Sequence, residues 1–367
     1  MAKNWLAALH KLDESNLRER GNPHDNVLQT KSPSFNFVFG KGHGLPRGFT
    51  LVMGGPPKGG KTLVSNAFVG ELHKADPQAF VIKFDTEFRE GVQSTQEELS
   101  EMWGVDLDRY VVYQTNSPMD IFDRIEKEIA AMCQDGMPLA AVIIDSVNGI
   151  QGRRAMNADT IETQQIGDEA KTLTDGFKRI LAVQRKYGFA LILTCQIRAE
   201  MDMLEQKRGN KVKMSLPFAL QHYCEYFLFV EPNRNVEGRT NLSGEEFRDK
   251  ESTDMDKNSK GEKTGHKIKV TMKDSSCGPK GRVGEFTLDY RRGIINTWEE
   301  VFTLGLNRGI IERPSLSTYK FHDKEWRGKE NVWNDLKADQ SLQDAIVAEL
   351  YARDSQGIYD ADDAKAE

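Results

Sequence analysis

Several common features are missing from this 367-residue chain, and each absence narrows what it can be. No apolar run approaches the roughly 20 residues that a membrane-spanning helix requires. No C-x-x-C spacing occurs among the four widely separated cysteines, so neither a zinc site nor a disulfide framework is expected. No long apolar region follows the early lysine, so no secretory signal is expected. The sequence therefore predicts an intracellular protein of a reducing compartment.

A strong excess of one charge is also missing. The net charge of −6 does not indicate a nucleic-acid-binding protein, so such an activity would have to depend on local basic segments. Hydrophobic residues make up 38% of the chain and charged residues 29%, the ordinary balance of a globular protein. A chain of this length can bury one large α/β core with smaller appendages.

The most informative motif lies at residues 55–62, where G-P-P-K-G-G-K-T matches G-x-x-x-x-G-K-[ST] after an apolar run at 49–53. A strand that enters such a glycine-rich turn, followed by a helix, surrounds nucleotide phosphates with free N–H groups. Lys61 would reach the β- and γ-phosphates, and Thr62 would hold Mg²⁺. The candidate nucleotide-binding residues are Gly55, Pro56, Pro57, Lys58, Gly59, Gly60, Lys61, Thr62 and Leu63.

Two further apolar runs end in acidic residues. The run at 140–144 is followed by Asp145, a Walker B arrangement in which the carboxylate orients Mg²⁺. The run at 81–84 is followed by Asp85-Thr86-Glu87, and Glu87 could accept a proton from the water that attacks the γ-phosphate. An apolar strand ending in aspartate is common, and Glu87 could instead merely favour a helix dipole. The upstream phosphate loop favours the Mg²⁺-orienting interpretation of Asp145.

Apolar and β-branched runs alternate with amphipathic helical patterns over residues 31–296. This rhythm is typical of an α/β protein whose mostly parallel sheet is covered by helices. The candidate strands are 49–53, 79–84, 140–144, 189–195, 226–230 and 267–272.

Three other segments stand apart from this pattern. Apolar residues recur with helical spacing near the start, at Trp5, Leu6 and Leu9, before a polar linker. Residues 232–266 have almost no large apolar side chain after Phe247, so a mobile insertion is expected. Residues 354–367 contain five acids against one lysine and are predicted to be a solvated acidic tail.

Four motifs occur along the chain in a characteristic order: residues 55–62, Asp85-Thr-Glu87, Asp145-Ser146 and 194–198 (T-C-Q-I-R). Their order resembles that of the RecA family of strand-exchange recombinases. The sequence around the motifs is most similar to the phage UvsX-type branch of that family. The resemblance runs from about residue 30 to 340. It implies a RecA-like P-loop ATPase core at 31–296, an N-terminal oligomerisation segment at 1–30 and a small α/β C-terminal domain at 297–353.

The resemblance also implies roles for residues outside the phosphate loop. Gln196 matches the family's γ-phosphate sensor. The loops at 151–168 and 197–217 match the family's two DNA-binding loops, and their basic side chains suit contacts to a phosphate backbone. The candidate DNA-binding residues are Arg153, Arg154, Arg198, Lys207, Arg208, Lys211 and Lys213.

A neighbouring subunit would complete the ATP site in this family. Lys273 stands where the family keeps a lysine that reaches the γ-phosphate of the adjacent subunit. Bacterial members carry a second lysine where this chain has Ser275, with Lys280 and Arg282 nearby as substitutes. Bacterial members also stack an aromatic side chain on adenine, but residues 89–101 contain no tryptophan, tyrosine or phenylalanine.

The function implied is ATP- and Mg²⁺-dependent strand exchange for homologous recombination and repair. The protein would form a helical homo-filament on single-stranded DNA and pair it with homologous duplex DNA, with mediator or single-strand-binding proteins as further partners, in bacterial cytoplasm if a phage encodes it. Two alternatives share the same motifs: a hexameric DnaB-like helicase, and a KaiC-like module in which ATP binding only controls assembly.

Overall fold

A computed structural model describes residues 26–57, 59–90, 99–152, 167–199, 203, 207, 212–233, 265–289 and 292–357. The expected N-terminal helix with Trp5, Leu6 and Leu9 lies outside the described residues. So do most of the expected insertion and the last ten residues of the acidic tail. Among the described helices, none combines the length and apolar character needed to cross a membrane.

The described residues form three sheets. Their strands are β1 (Val27–Leu28), β2 (Leu45–Pro46), β3 (Thr50–Gly55), β4 (Phe80–Asp85), β5 (Tyr110–Gln114), β6 (Leu139–Asp145), β7 (Ala190–Ala199), β8 (Val212–Met214), β9 (Tyr226–Pro232), β10 (Gly265–Ser275), β11 (Val283–Asp289), β12 (Gly293–Ile295), β13 (Glu312–Ser315), β14 (Thr318–Phe321) and β15 (Lys324–Arg327). Ten of these strands form the central sheet, in the order β12-β11-β10-β9-β3-β7-β6-β4-β5 with β8 paired to β7. Strands β1 and β2 form a short separate pair, and β13 to β15 form a small third sheet.

Six neighbouring strands of the central sheet run parallel: β9, β3, β7, β6, β4 and β5. Strands β10, β11 and β12 add an antiparallel edge next to β9. Every residue of β3 and of β6 is buried, because helices cover both faces of a parallel sheet. This is why these strands read as continuous apolar runs in the sequence. All six candidate strands are confirmed, and so is the α/β class with a mostly parallel sheet.

Helices form two layers on the sheet. The described α-helices are α1 (Pro33–Phe37), α2 (Lys61–Ala75), α3 (Pro118–Asp123), α4 (Ala130–Gln134), α5 (Asp168–Tyr187), α6 (Phe218–Gln221), α7 (Thr297–Asn307), α8 (Lys329–Ala338) and α9 (Gln340–Ser355); a π-helical stretch, Arg124–Ile129, joins α3 to α4. Helices α1 and α2 pack on one face of the sheet through Phe35 and Phe68, while α3 and α5 pack on the other through Phe122 and Phe177.

The C-terminal unit packs α7, α8 and α9 with the small sheet around its own apolar cluster, which includes Trp298 and Trp326. Phe37 of α1 belongs to the same cluster and so connects this unit to the core. A small α/β unit after residue 296 therefore agrees with the expected C-terminal domain.

The start of the acidic tail was predicted at residue 354, which is too early in the chain. Helix α9 extends to Ser355, and the Asp354 carboxylate, only 5% exposed, accepts hydrogen bonds from Arg282 at 2.6 and 2.9 Å and from His43 Nε2 at 2.9 Å. Burial opposes its charge, yet the bonds from His43 and Arg282 lower the pKa of Asp354 to about 2. Asp354 is thus part of the folded unit, and Arg282 is committed to a partner in its own chain.

The expected insertion is also shorter than predicted. Pro232 pairs with Ile268 across β9 and β10, and Gly265 pairs with Asp289 across β10 and β11. The ends of the predicted insertion are therefore ladder residues, and only 234–264 lie outside the described residues.

Glu300 of α7 is a buried carboxyl group that joins the C-terminal unit to the core. Its Oε2 accepts hydrogen bonds from Ser32 Oγ at 2.5 Å and from the Ser34 N–H at 3.0 Å. Burial raises the pKa of Glu300 to about 8, the bonds from Ser32 and Ser34 oppose the rise, and the charge of Glu299 adds to it. The folded state therefore holds this carboxyl protonated over a pH range in which the unfolded chain ionises it.

We expect wild-type stability to fall between about pH 5 and pH 8, because the contribution of a carboxyl with a raised pKa is fully present only below its unfolded pKa. Glu300→Gln should remove most of that loss and be more stable than wild type at pH 8.5 by on the order of 2 kcal/mol. Urea denaturation at several pH values measures this. Glu312→Gln, a change at an exposed carboxylate of β13, is the control and should keep the wild-type pH slope. An unchanged slope in Glu300→Gln would contradict the account.

Candidate nucleotide site

The phosphate loop joins β3 to α2 through glycines that tolerate no side chain. A Cβ atom on Gly55 would lie 2.1 Å from the carbonyl oxygen of Val230, and one on Gly59 would lie 2.9 Å from that of Pro56. Gly60 has a φ of 91°, in the left-handed region. Within the described part of the chain no side chain caps α2 after Gly60, so the first N–H groups of this helix remain open to an anion. The cradle fits a phosphate group.

Lys61 folds back over this loop. Its Nζ donates to the carbonyl oxygens of Gly55 at 3.0 Å and Pro56 at 2.9 Å. Burial lowers the pKa of Lys61, and the charge of Asp145 opposes that shift. Leu63, also a candidate, lies in the first turn of α2 and packs against the core. Pro56 and Pro57 lie in the described part of the loop, and Lys58 lies outside the described residues.

Asp145 ends β6 beside the loop, as the sequence predicted. Thr62 Oγ1 donates to Asp145 Oδ2 at 2.8 Å, and Thr194 Oγ1 donates to Oδ1 at 2.5 Å. Burial opposes ionisation, but the charge of Lys83 and the two threonine hydroxyls lower the pKa of Asp145. A hydroxyl and an ionised carboxylate side by side are oxygen donors of the kind Mg²⁺ prefers, so the pair fits a magnesium ion.

Lys83 is a site residue that the sequence analysis missed. Its ammonium is fully buried, 2.5 Å from Glu90 Oε1 and 3.2 Å from Asp145 Oδ2. Burial opposes its charge, but the neighbouring Tyr110, Asp145 and Glu90 together raise the pKa of Lys83. Asn66 and Tyr110 also donate to Glu90. The only sequence signal was a lysine inside an otherwise apolar strand.

Glu87 follows β4 at the same sheet edge as Asp145, because Asp85 and Asp145 are register partners in the parallel pair β4–β6. Ser146 Oγ donates to Glu87 Oε1 at 2.8 Å, and Arg89 pairs with Oε2 at 2.6 Å. The Asp145–Ser146 peptide bond is cis. The carboxylate that the sequence selected as a base therefore lies in the neighbourhood of the phosphate loop.

Gln196 lies directly beside the loop, since it pairs in register with Gly55 across β3 and β7. Strand β7 then continues past the sheet edge and forms a hairpin with β8, in which Arg198 lies opposite Lys213. Two like charges directly opposite each other destabilise the pairing of the two strands, and a bound anion would offset their repulsion. We call residues 197–199 and 212–214 the basic hairpin.

A cavity of about 510 Å³ lies between the basic hairpin and the start of α5. Arg198 and Lys213 line it together with Gly167 and Glu169 at the α5 N-terminus. Lys207 is exposed. The other candidate DNA-binding residues, Arg153, Arg154, Arg208 and Lys211, lie outside the described residues.

Lys273 is the one catalytic candidate that the structure does not bring to the site. It is exposed at a β-bulge between Met272 and Asp274 of β10, with Nζ 5.5 Å from the centre of the Phe229 ring. Ile268 of the same strand is the residue that approaches Gly60. Five residues of strand span about 17 Å, so Lys273 cannot reach the phosphate loop of the same chain.

The fold and this edge define a P-loop nucleotide-binding α/β protein. Comparison with known protein families is more specific. The family model of the RecA N-terminal domain matches residues 13–251, and the chain therefore belongs to the RecA family. It is similar to Protein RecA of Oleidesulfovibrio alaskensis, with 25% identity over 89% of this chain and 83% of that protein. Protein RecA of Wolbachia pipientis (23%, over 91% and 84%) and of Streptomyces venezuelae (24%, over 93% and 80%) are also similar.

Thr62→Val keeps the side-chain shape but removes the hydroxyl that faces Asp145. We expect the affinity for an ATP analogue in Mg²⁺ to fall about ten-fold or more, because one oxygen donor to the cation is lost. Titration of a fluorescent analogue at several Mg²⁺ concentrations measures the effect. Thr62→Ser retains the hydroxyl and should keep the wild-type Mg²⁺ dependence. The same dependence in Thr62→Val would show that the pair does not hold the cation.

Proposed function

We propose that this protein is an ATP-dependent DNA strand-exchange recombinase that forms helical filaments on single-stranded DNA. The observation that carries the proposal is the course of β7. At Gln196 this strand borders the phosphate loop, and two residues later Arg198 stands in the basic hairpin. A single strand thus connects a nucleotide site to a surface suited to DNA phosphates. Membership of the RecA family supports the same proposal, because members of this family are DNA-dependent ATPases that form filaments on DNA.

At the nucleotide site, bound ATP with Mg²⁺ would supply the reactive γ-phosphate and a cation that draws charge from it. Thr62 and Asp145 would hold the cation, and Lys61 would leave the loop carbonyls to contact phosphate. Glu87 would accept a proton from the attacking water, with Ser146 fixing its Oε1. Gln196 would sense whether the γ-phosphate is present.

At the DNA surface, contacts would go to the phosphate backbone and leave sequence to be read by base pairing. Arg198 and Lys213 flank a cavity that also receives the N-terminus of the twenty-residue helix α5. Because Asp168 and Glu169 occupy the first turn of α5, the two basic side chains rather than the helix dipole favour a phosphate there. Hydrolysis would weaken this grip, since a protein that binds DNA better in one nucleotide state releases it in the other.

The filament would place Lys273 at the ATP site of the adjacent subunit. Its exposure at a β-bulge supports this role, because bulges redirect a side chain away from the sheet. The expected substitute Arg282 is held by Asp354, and Lys280 pairs with Asp274, so Lys273 is the best placed of the three. Within the family, we place the chain in the phage UvsX-type branch, on the sequence around its motifs.

Glu87→Gln tests hydrolysis separately from binding. We expect ATP turnover with single-stranded DNA to fall about 100-fold or more, because the amide cannot accept the proton. Affinity for an ATP analogue should change little. Glu285→Gln, at an exposed carboxylate elsewhere on the sheet, is the control. Turnover that is absent in wild type, with analogue binding intact, would indicate a module in which nucleotide only controls assembly.

Strand exchange tests the function itself. We expect the wild-type protein, with ATP and Mg²⁺, to pair circular single-stranded DNA with homologous linear duplex, and Lys61→Ala to fail because it loses phosphate binding. Gel analysis of joint molecules measures the product, and a heterologous duplex is the control. Unwinding of a forked duplex without joint molecules would instead assign a helicase.

A further inference from the structure

The side chain of Asn148 connects β7, at Gln196, to Ser215 at the base of the basic hairpin. It lies in the 3₁₀ turn Val147–Gly149, directly after β6. Its Oδ1 accepts from the Gln196 N–H at 2.7 Å, and its Nδ2 donates to the Ser215 carbonyl oxygen at 2.9 Å. The Ser215 N–H in turn donates to the Gln196 carbonyl oxygen at 2.7 Å. One side chain therefore holds both sides of the hairpin base.

The position of this tie within the sheet is specific. Strand β7 pairs with β6 up to Leu193 and with β3 up to Gln196, so Gln196 is the last residue that the main sheet holds. Beyond it, β7 pairs with β8 alone. The asparagine amide thus acts where the hairpin leaves the sheet, and its bonds to backbone groups constrain the direction in which Arg198 and Lys213 project.

The turn that carries Asn148 is itself fastened to the catalytic side of the site. Thr86 Oγ1 donates to the Ser146 carbonyl oxygen at 2.6 Å, and Ser146 Oγ donates to Glu87 at 2.8 Å. A Cβ atom on Gly149 would lie 2.2 Å from Thr86 Oγ1, so the turn packs closely on the residue before Glu87. A shift at Thr86 or Glu87 therefore moves the turn.

We propose that Asn148 is a positioning residue that couples the nucleotide site to the basic hairpin. The inference rests on the proposed function, since it assumes that nucleotide changes DNA affinity. A displacement of Glu87 or Gln196 on nucleotide binding reaches the hairpin base through the two amide bonds of Asn148. Packed side chains and hydrogen bonds with two discrete arrangements are the means by which such coupling is carried.

Two substitutions separate the bonds. Asn148→Ala removes both, whereas Asn148→Asp keeps the acceptor for the Gln196 N–H and places a carboxylate oxygen against the Ser215 carbonyl. Asn331→Asp is the matched control, because the exposed Asn331 of α8 also donates to a backbone carbonyl, that of Arg327 at 2.6 Å. All three lie outside the apolar core.

The measurement is the affinity for fluorescent oligo(dT) without nucleotide and with a slowly hydrolysed ATP analogue. We expect the ratio of the two affinities to fall about five-fold or more in Asn148→Ala and Asn148→Asp, and to stay at the wild-type value in Asn331→Asp. Analogue affinity without DNA should match wild type in every variant. A merely structural asparagine would lower both DNA affinities together and leave the ratio unchanged.

The two possible failures are distinguishable. Wild-type protein whose DNA affinity ignores the analogue would contradict the proposed function. Wild-type protein that responds, together with both Asn148 variants that respond equally, would overturn only the role of Asn148. If Asn148→Ala folds poorly, Asn148→Asp decides, and amide hydrogen exchange at 196–199 and 212–215 should be faster in it than in wild type.

Discussion

The buried carboxylate of Asp145 is the constraint on which the rest of the site depends. An ionised group at that depth is costly unless it is paired and hydrogen-bonded, and here Lys83, Thr62 and Thr194 satisfy it. Each partner comes from a different element: β4, α2 and β7. Satisfying one charge therefore fixes α2, β4 and β7 relative to one another.

The parallel sheet explains why these groups meet at one edge. Parallel strands all end on the same side, so β3, β4, β6 and β7 deliver the phosphate loop, Glu87, Asp145 and Gln196 to neighbouring positions. Strand β7 differs from the others because it extends past that edge into the basic hairpin. This strand and the turn beside it form a short connection between the phosphate loop and the basic hairpin.

The sequence predicted what depends on local pattern. The six strands, the phosphate loop and the two strand-end carboxylates could be found because buried parallel strands and glycine turns leave signatures in contiguous residues. The roles of Lys83, Asn148 and Asp354 could not be found in this way, because each depends on a partner that is distant in the chain. These partners are Asp145, Ser215 and Arg282, respectively. The acidic tail was misplaced for the same reason: composition does not reveal that one of its carboxylates has a buried partner.

Electron microscopy of the purified protein with single-stranded DNA, Mg²⁺ and a slowly hydrolysed ATP analogue tests the central claim most directly. That claim is that one chain joins a nucleotide site to a DNA surface and is completed by a second copy through Lys273. The account predicts long helical filaments that need both DNA and nucleotide. Closed rings, or particles indifferent to either, would contradict it.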